Sequence, residues 1–264
     1  MKQQEGGQQP VKAHRAFDWR GPDRIVLVHG FTQTMRSWDR LAALLSETFQ
    51  VVRVDLPGHG GSSNVDLSFE ETAEALGEAG GAATYVGYSL GGRVSLRLAV
   101  DRPDLVQSLV LIGASAGLAD AEERRARRAA DEALAAEIER VGTAAFLDHW
   151  LAQPLFATLN PQPDDLEARL ANSPAGLATA LRRLGTGVQE PVWDRLGELK
   201  MPVLAVTGQE DAKFSRLGEQ MAAAIGVTAQ AVAVAGAGHA AHLERPVSFH
   251  RLLTAFLLLH SSTR

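Results

Sequence analysis

The sequence predicts an α/β fold: a mostly parallel central sheet with helices on both faces and a helical insertion that forms a lid. Three observations carry this. Short apolar runs recur at 25–28 (IVLV), 51–54 (VVRV), 84–86 (TYV), 109–112 (LVLI), 202–206 (PVLAV) and 231–234 (AVAV). They are mostly continuous rather than alternating, which suits strands buried on both faces. Helical stretches separate them, and alternating strands and helices build a parallel sheet. From 118 to about 192 no strand signal occurs; helical stretches rich in Ala, Arg and Glu are broken there by Pro154, Pro161, Pro163 and Pro174. The chain therefore divides into a core of 16–117 and 193–264, a helical lid of 118–192, and an N-terminal extension of 1–15. Gln and Gly dominate the start of that extension, so it is expected to be disordered.

The connecting elements follow in order. Residues 31–37 read as a loop and 38–48 as an amphipathic helix. Pro57 with Gly58, Gly60 and Gly61 keeps 55–62 out of a helix. Ser68 should cap a helix reaching about Gly77, with Glu71 completing a capping box. A helix follows Ser89 through Val100, and Arg102-Pro103 ends it. Further helices are expected near 215–224 and from about 247 to 259.

Composition narrows the function. The chain has 264 residues, 45% of them apolar, which suffices for a sizeable core. A net charge of −5 gives no reason to expect a nucleic-acid partner. With no cysteine there is neither a disulfide framework nor a thiolate metal site, and no His-Glu-x-x-His spacing occurs. No metal or organic cofactor is expected. Residues 1–10 lack the apolar segment of a signal peptide, and no apolar run approaches the ~18 residues of a membrane span. A cytoplasmic, monomeric protein without a membrane partner is the expectation.

The chemistry centres on 85–93 (YVGYSLGGR), in which a strand, a tight turn and a helix meet. Gly87, Ser89 and Gly91 form G-x-S-x-G, the nucleophile elbow. Glycines leave room for a sharp turn that strains the serine backbone and lifts its hydroxyl above the sheet edge. In parallel sheets reactive residues lie beyond the carboxyl ends of strands. Asp211 and His239 both follow predicted strands. Ser89, Asp211, His239 is the chain order of an α/β-hydrolase triad, in which His239 takes the serine proton and Asp211 orients the imidazole. The backbone N–H groups of Phe31 and Leu90 are the candidate oxyanion donors. His242 competes with His239, and Glu210 with Asp211, but the chosen residues sit at the better offset from the strand ends. His29 and His59 are read as loop braces; His14, His149, His250 and His260 have no evident partner.

Arg93 lies one helical turn after Ser89 and shares its face. A guanidinium there suits a substrate carboxylate; otherwise it faces solvent or makes a structural ion pair. In the lid, Glu123–Arg127, Arg127–Asp131 and Arg128–Glu132 have i,i+4 spacing and read mainly as a self-paired, solvated face. Trp150 with Pro154, Leu155 and Phe156 reads as lid packing.

Several stretches are similar to the 2-succinyl-6-hydroxy-2,4-cyclohexadiene-1-carboxylate synthases, α/β-hydrolase-fold enzymes of menaquinone biosynthesis. They are 87–93 (GYSLGGR), Gly117-Leu118 with 121–124 (AEER), 150–159 (WLAQPLFATL), 211–214 (DAKF) and 238–242 (GHAAH). Asp211 is followed by Ala212, where the family often has serine. The resemblance implies a lyase that eliminates pyruvate from 2-succinyl-5-enolpyruvyl-6-hydroxy-3-cyclohexene-1-carboxylate, with Ser89 of the triad acting as a base. It also implies that Arg93, Arg127 and Arg169 hold substrate carboxylates and that Tyr88 and Trp150 line the pocket. The partner would be a small polycarboxylate. A serine carboxylesterase or C–C bond hydrolase is the alternative on the same fold, and a non-catalytic ligand receptor a third reading. Ser89 itself rules out dehalogenase and epoxide-hydrolase chemistry, which needs a carboxylate at that position.

Overall fold

The computed structural model describes residues 12–15 and 23–260. Seven strands form one sheet: β1 (Ala13–Arg15), β2 (Arg24–Val28), β3 (Gln50–Val54), β4 (Ala83–Tyr88), β5 (Val106–Ile112), β6 (Val203–Gly208) and β7 (Ala229–Val234). Their spatial order is β1-β3-β2-β4-β5-β6-β7. All neighbouring pairs are parallel except β1 with β3.

The apolar runs are continuous because each strand feeds two cores. Ile25, Leu27, Val51 and Val86 pack on one face with Leu45, Phe249 and Leu253. Val26, Val28, Val52 and Tyr85 pack on the other with Leu76, Val94, Leu98 and Met221. Helices α1 (Asp39–Leu45) and α9 (Pro246–Leu259) therefore cover the first face. The second is covered by α2 (Phe69–Gly80), α3 (Leu90–Asp101) and α7 (Ala212–Ile225). The capping box at α2 forms as expected, with Ser68 Oγ accepting from the Glu71 N–H and Glu71 Oε2 accepting from the Ser68 N–H.

No strand forms between 118 and 192. That segment holds α4 (Ala121–Leu151), α5 (Pro163–Leu170) and α6 (Pro174–Leu184). Pro163 and Pro174 start α5 and α6, where a missing N–H is harmless and the fixed φ suits the first turn. Pro154 likewise opens a short 3₁₀ turn. Helix α4 kinks at Gly142, whose φ is 81°. A small lid core of Ile138, Phe146, Leu177 and Leu181 meets Phe31 and Trp150. Arg182 of α6 pairs with both Glu132 and Glu139 of α4. Of the three predicted i,i+4 pairs only Arg127–Asp131 forms; Glu132 turns to Arg182, and Arg128 reaches the Gly187 carbonyl.

Three boundaries differ from the expectation. Part of the extension expected to be disordered is a strand, because Ala13–Arg15 pairs antiparallel along the open edge of β3. An edge strand needs only backbone partners, so its polar sequence gave no apolar signal. The Lys12 carbonyl continues the pairing by accepting from the Asp55 N–H at 3.0 Å. Residues 1–11 lie outside the described residues. Helix α7 begins at Ala212 rather than near 215, because Asp211 itself caps it. A short helix that was not expected, α8 (Ala241–Glu244), precedes the last helix, which forms close to its expected bounds as α9 (Pro246–Leu259).

The loops leaving β2 and β3 are braced by histidines, as expected. His29 Nδ1–H donates to the Gly30 carbonyl at 2.8 Å, and Nε2 accepts from the Leu56 N–H at 3.1 Å. His59 Nδ1–H donates to the Pro57 carbonyl at 3.0 Å, and Nε2 accepts from the Thr32 N–H at 3.3 Å. Both are fully buried, and burial lowers them to about 4 and about 3. His242, between Trp38 and Tyr88 with ring centroids 4.5 Å from each, is buried too and lowered to about 3. Among the described residues neither of its ring nitrogens has a hydrogen-bond partner.

These histidines are neutral when folded and protonate in the unfolded chain below about pH 6.5. The unfolded state then binds more protons, so stability is full above that pH and falls as pH drops towards 4. Each contributes on the order of 3 kcal/mol to the loss. Thermal melts from pH 7.5 to 4.5 should show the midpoint falling below pH 6.5. His242→Phe, with no ionisable ring, should make that fall shallower; an unchanged slope would contradict the assignment.

Candidate active site

The site starts from the turn between β4 and α3. Ser89 has φ 49° and ψ −107°, a left-handed conformation that non-glycine residues rarely adopt. Neighbouring backbone holds it there: its N–H donates to the Ile112 carbonyl at 2.8 Å, and its carbonyl accepts from the Arg93 N–H at 3.0 Å. A Cβ on Gly87 would strike the Gly91 backbone, and one on Gly91 would strike the Val28 and His29 carbonyls. Both glycines of the elbow are thus required by close approach.

β6 and β7 bring up the other two residues. Ser89 Oγ lies 3.4 Å from His239 Nε2. His239 Nδ1–H donates to Asp211 Oδ2 at 2.8 Å. Asp211 Oδ1 accepts from the Phe214 N–H at 3.1 Å, so the helix cap also fixes the carboxylate. With Nδ1 committed as a donor, Nε2 is left to accept from the serine. His239 is buried against Phe214 and Tyr88, with ring centroids at 4.4 and 5.4 Å. His242 has no carboxylate partner among the described residues, and Glu210 is exposed on the surface. The geometry therefore selects His239 and Asp211 from the competing pairs.

Above Ser89 is a cavity of about 880 Å³ between core and lid. Phe31 and Leu90 both line it beside the serine. Leu90 is the first residue of α3, so its N–H has no carbonyl one turn earlier in the helix, and the helix dipole adds positive potential there. Tyr88, Arg93, Arg127 and Trp150 also line the cavity. Arg169 does not. Its Nε donates to Asp165 at 2.7 Å and its Nη1 to Thr32 Oγ1 at 2.6 Å, both on buried partners.

Arg93 has an unusual environment. It is 9% exposed, yet its partners are neutral: Gln189 Oε1 and the Leu184 carbonyl, each at 2.8 Å, and the face of Phe69 at 5.4 Å. Among the described residues it makes no ion pair. Burial first, and the Arg127 charge second, lower its pKa to about 9. A buried cation without a counter-ion is costly unless a ligand supplies the anion. Arg127 is more exposed, and Asp131 offsets it at 2.7 Å. Lys213 and Glu123 complete the charged lining, giving three cations against one carboxylate on the cavity wall. Trp150 Nε1 is a buried donor with no hydrogen-bond partner among the described residues.

Sequence reasoning overlooked Gln189, a buried amide in a lid loop that carries no signal in the sequence. It treated Phe156 as packing, whereas Phe156 both lines the cavity and touches His239, ring centroids 6.1 Å apart. Lys213 stood within a quoted motif but was given no role. Among the described residues no cluster of His, Cys, Asp or Glu could hold a metal ion, and no helix is long and apolar enough to cross a membrane.

A serine so placed should react selectively with a fluorophosphonate. Mass spectrometry should find one modified residue, Ser89. His239→Ala should slow labelling by roughly 100-fold or more, the usual worth of a positioned general base. Labelling elsewhere, or at an unchanged rate, would show that the relay does not activate Ser89.

The model of the alpha/beta hydrolase family matches residues 25–252. A 2-succinyl-6-hydroxy-2,4-cyclohexadiene-1-carboxylate synthase of Serratia proteamaculans is 32% identical over 243 residues, covering 89% of this chain and 92% of its own. One from an Enterobacter species is 31% identical over 253 residues, covering 92% and 93%. The solved structure of MenH from S. aureus superposes with a TM-score of 0.85 at 28% identity, over 96% of this chain and 99% of its own. By family model, sequence and fold together, the chain belongs to the alpha/beta hydrolase family and, within it, to the 2-succinyl-6-hydroxy-2,4-cyclohexadiene-1-carboxylate synthases.

Proposed function

We propose that this enzyme is a lyase that eliminates pyruvate from 2-succinyl-5-enolpyruvyl-6-hydroxy-3-cyclohexene-1-carboxylate, giving 2-succinyl-6-hydroxy-2,4-cyclohexadiene-1-carboxylate. The observation that carries the reading to this site is Arg93: a buried cation one helical turn from Ser89 whose hydrogen-bond acceptors among the described residues are neutral. A substrate with three carboxylates supplies the missing anion, and a neutral ester does not.

The chemistry follows from the change of a 3-ene to a 2,4-diene. The ring proton at C2 lies next to the succinyl ketone and is acidified by it. Ser89 Oγ, its own proton passed to His239 Nε2, takes the C2 proton. Charge develops on the ketone oxygen, where the N–H groups of Phe31 and Leu90 stabilise it. Collapse of the enolate forms the C2–C3 double bond, moves the C3–C4 pair to C4–C5, and breaks the C5–O bond. Enolpyruvate leaves and takes up a proton on carbon to become pyruvate. No water is consumed and no acyl-enzyme forms. Asp211 keeps His239 in the accepting tautomer and stabilises the imidazolium. Arg93 and Arg127 orient the carboxylates, with Tyr88 and Trp150 shaping the wall. The partner is a small polycarboxylate, and a cytoplasmic location belongs to the same reading.

Ser89→Ala and His239→Ala should each lower pyruvate release by roughly 100- to 10,000-fold while leaving the thermal melt intact. The double mutant should be no worse than the poorer single mutant, because the two act as a unit. Losses that multiply would mean that the residues act separately.

Arg93→Ala should reduce kcat/KM for the tricarboxylate at least ~10-fold, as expected for a hydrogen bond to a charged group. Gln189→Glu, which gives Arg93 a carboxylate of its own, should act in the same direction. Both should leave hydrolysis of a neutral p-nitrophenyl ester nearly unchanged. Equal losses on both substrates would make Arg93 structural. Fast ester turnover with an acyl-enzyme burst and no pyruvate would make the protein a hydrolase.

A further inference from the structure

Thr32 follows the oxyanion candidate Phe31 and has φ 67°. A β-branched residue in the left-handed region is a genuine outlier. The Gln33 N–H donates to the Gly30 carbonyl at 3.1 Å, closing a β-turn with Phe31 second and Thr32 third. Positive φ at the third position is a task for glycine or asparagine. Gln33 Oε1 also accepts from the Gly30 N–H at 2.9 Å, securing the start of the turn.

Every polar group of Thr32 is held from outside this turn. Its N–H donates to His59 Nε2 at 3.3 Å. Its carbonyl accepts from Asn172 Nδ2 at 2.8 Å, and its Oγ1 accepts from Arg169 Nη1 at 2.6 Å. Two of these three holders come from the lid. Arg169 ends on α5 and is locked by Asp165 one turn earlier. Asn172 lies just beyond α5, and its Oδ1 accepts from the Gly60 N–H at 2.8 Å. Thr32, Arg169 and Asn172 are all buried. Persistent strain of this kind requires that its surroundings over-determine it.

We propose that Arg169 and Asn172 are positioning residues: by holding Thr32 they fix the turn that aims the Phe31 N–H, so the end of lid helix α5 and the oxyanion site form together. Arg169 then acts through Thr32 and not on a substrate carboxylate. The proposal rests on the reading that the Phe31 N–H stabilises the developing oxyanion.

The test uses the full chain with Arg169→Gln, Thr32→Val and the double mutant. Two assays are run: pyruvate release from the tricarboxylate, and hydrolysis of p-nitrophenyl acetate, which also needs an oxyanion donor but has no carboxylate. Removing an oxyanion donor lowers kcat about 100- to 1,000-fold, so misaiming one should lower it at least ~10-fold. Each single mutant should show that drop in kcat for pyruvate release, with KM within about twofold, and a similar drop on the ester. The double mutant should match the worse single mutant, since both remove one hydrogen bond. A raised KM for the tricarboxylate with an unchanged ester rate would overturn the proposal and make Arg169 a substrate ligand. Multiplying losses would also overturn it. If Arg169→Gln fails to melt cooperatively, Thr32→Val decides alone, and an unchanged kcat there overturns the proposal. Wild-type protein that hydrolyses the ester but releases no pyruvate would overturn the lyase reading only, and the ester arm decides the Thr32 coupling by the same criterion.

Discussion

The structure depends on how closely α3 can approach the ends of β2 and β4. Gly91 lies against the Val28 and His29 carbonyls, and Gly87 lies against the Gly91 backbone. No side chain fits in either gap, so the helix enters over the sheet edge at a single angle. That angle forces Ser89 into a left-handed conformation and puts its hydroxyl at the cavity floor. It also sets Arg93 on the same face one turn later and leaves the first N–H of the helix without an intrahelical carbonyl. The Ser89 hydroxyl, the candidate oxyanion donor at Leu90 and the Arg93 guanidinium are thus positioned by one backbone contact.

Charge around this point is distributed unequally. Asp131 compensates Arg127, and Asp165 compensates Arg169. Arg93 alone among these is held by neutral acceptors, the Gln189 amide and a helix-end carbonyl. A glutamate at 189 could make the same bond but would cancel the charge. Neutral acceptors fix the orientation of the guanidinium and leave its field directed into the cavity. The lid supplies both, since Leu184 ends α6 and Gln189 lies in the loop after it.

The lid therefore does more than cover the cavity. Arg169 and Asn172 grip Thr32 below, Gln189 grips Arg93, and Trp150 and Phe146 pack edge-on against Phe31 with ring centroids at 5.2 and 6.4 Å. Arg182 binds α4 to α6 through two glutamates. These contacts make the lid helices a support for the polar groups of the core site.

The sequence alone determined those features whose physical cause is local. Continuous apolar runs report strands buried on both faces, the Ser68–Glu71 spacing reports a helix cap, and G-x-S-x-G reports a turn too tight for side chains. The order Ser89, Asp211, His239 was readable because each residue lies in the turn or loop just past the carboxyl end of a strand of a parallel sheet. Tertiary structure decided whatever depends on which distant groups meet. β1 was invisible because an edge strand pairs through its backbone and needs no apolar pattern. Arg169 was assigned to the substrate by resemblance, yet its hydroxyl partner Thr32 lies 137 residues away in the chain, and that contact takes it out of the cavity. Gln189 carried no signal, since a buried amide gains its meaning only from Arg93, 96 residues distant. Periodicity and spacing encode what a residue does to its own stretch of chain; the electrostatic role of a buried polar group is set by its neighbours in space.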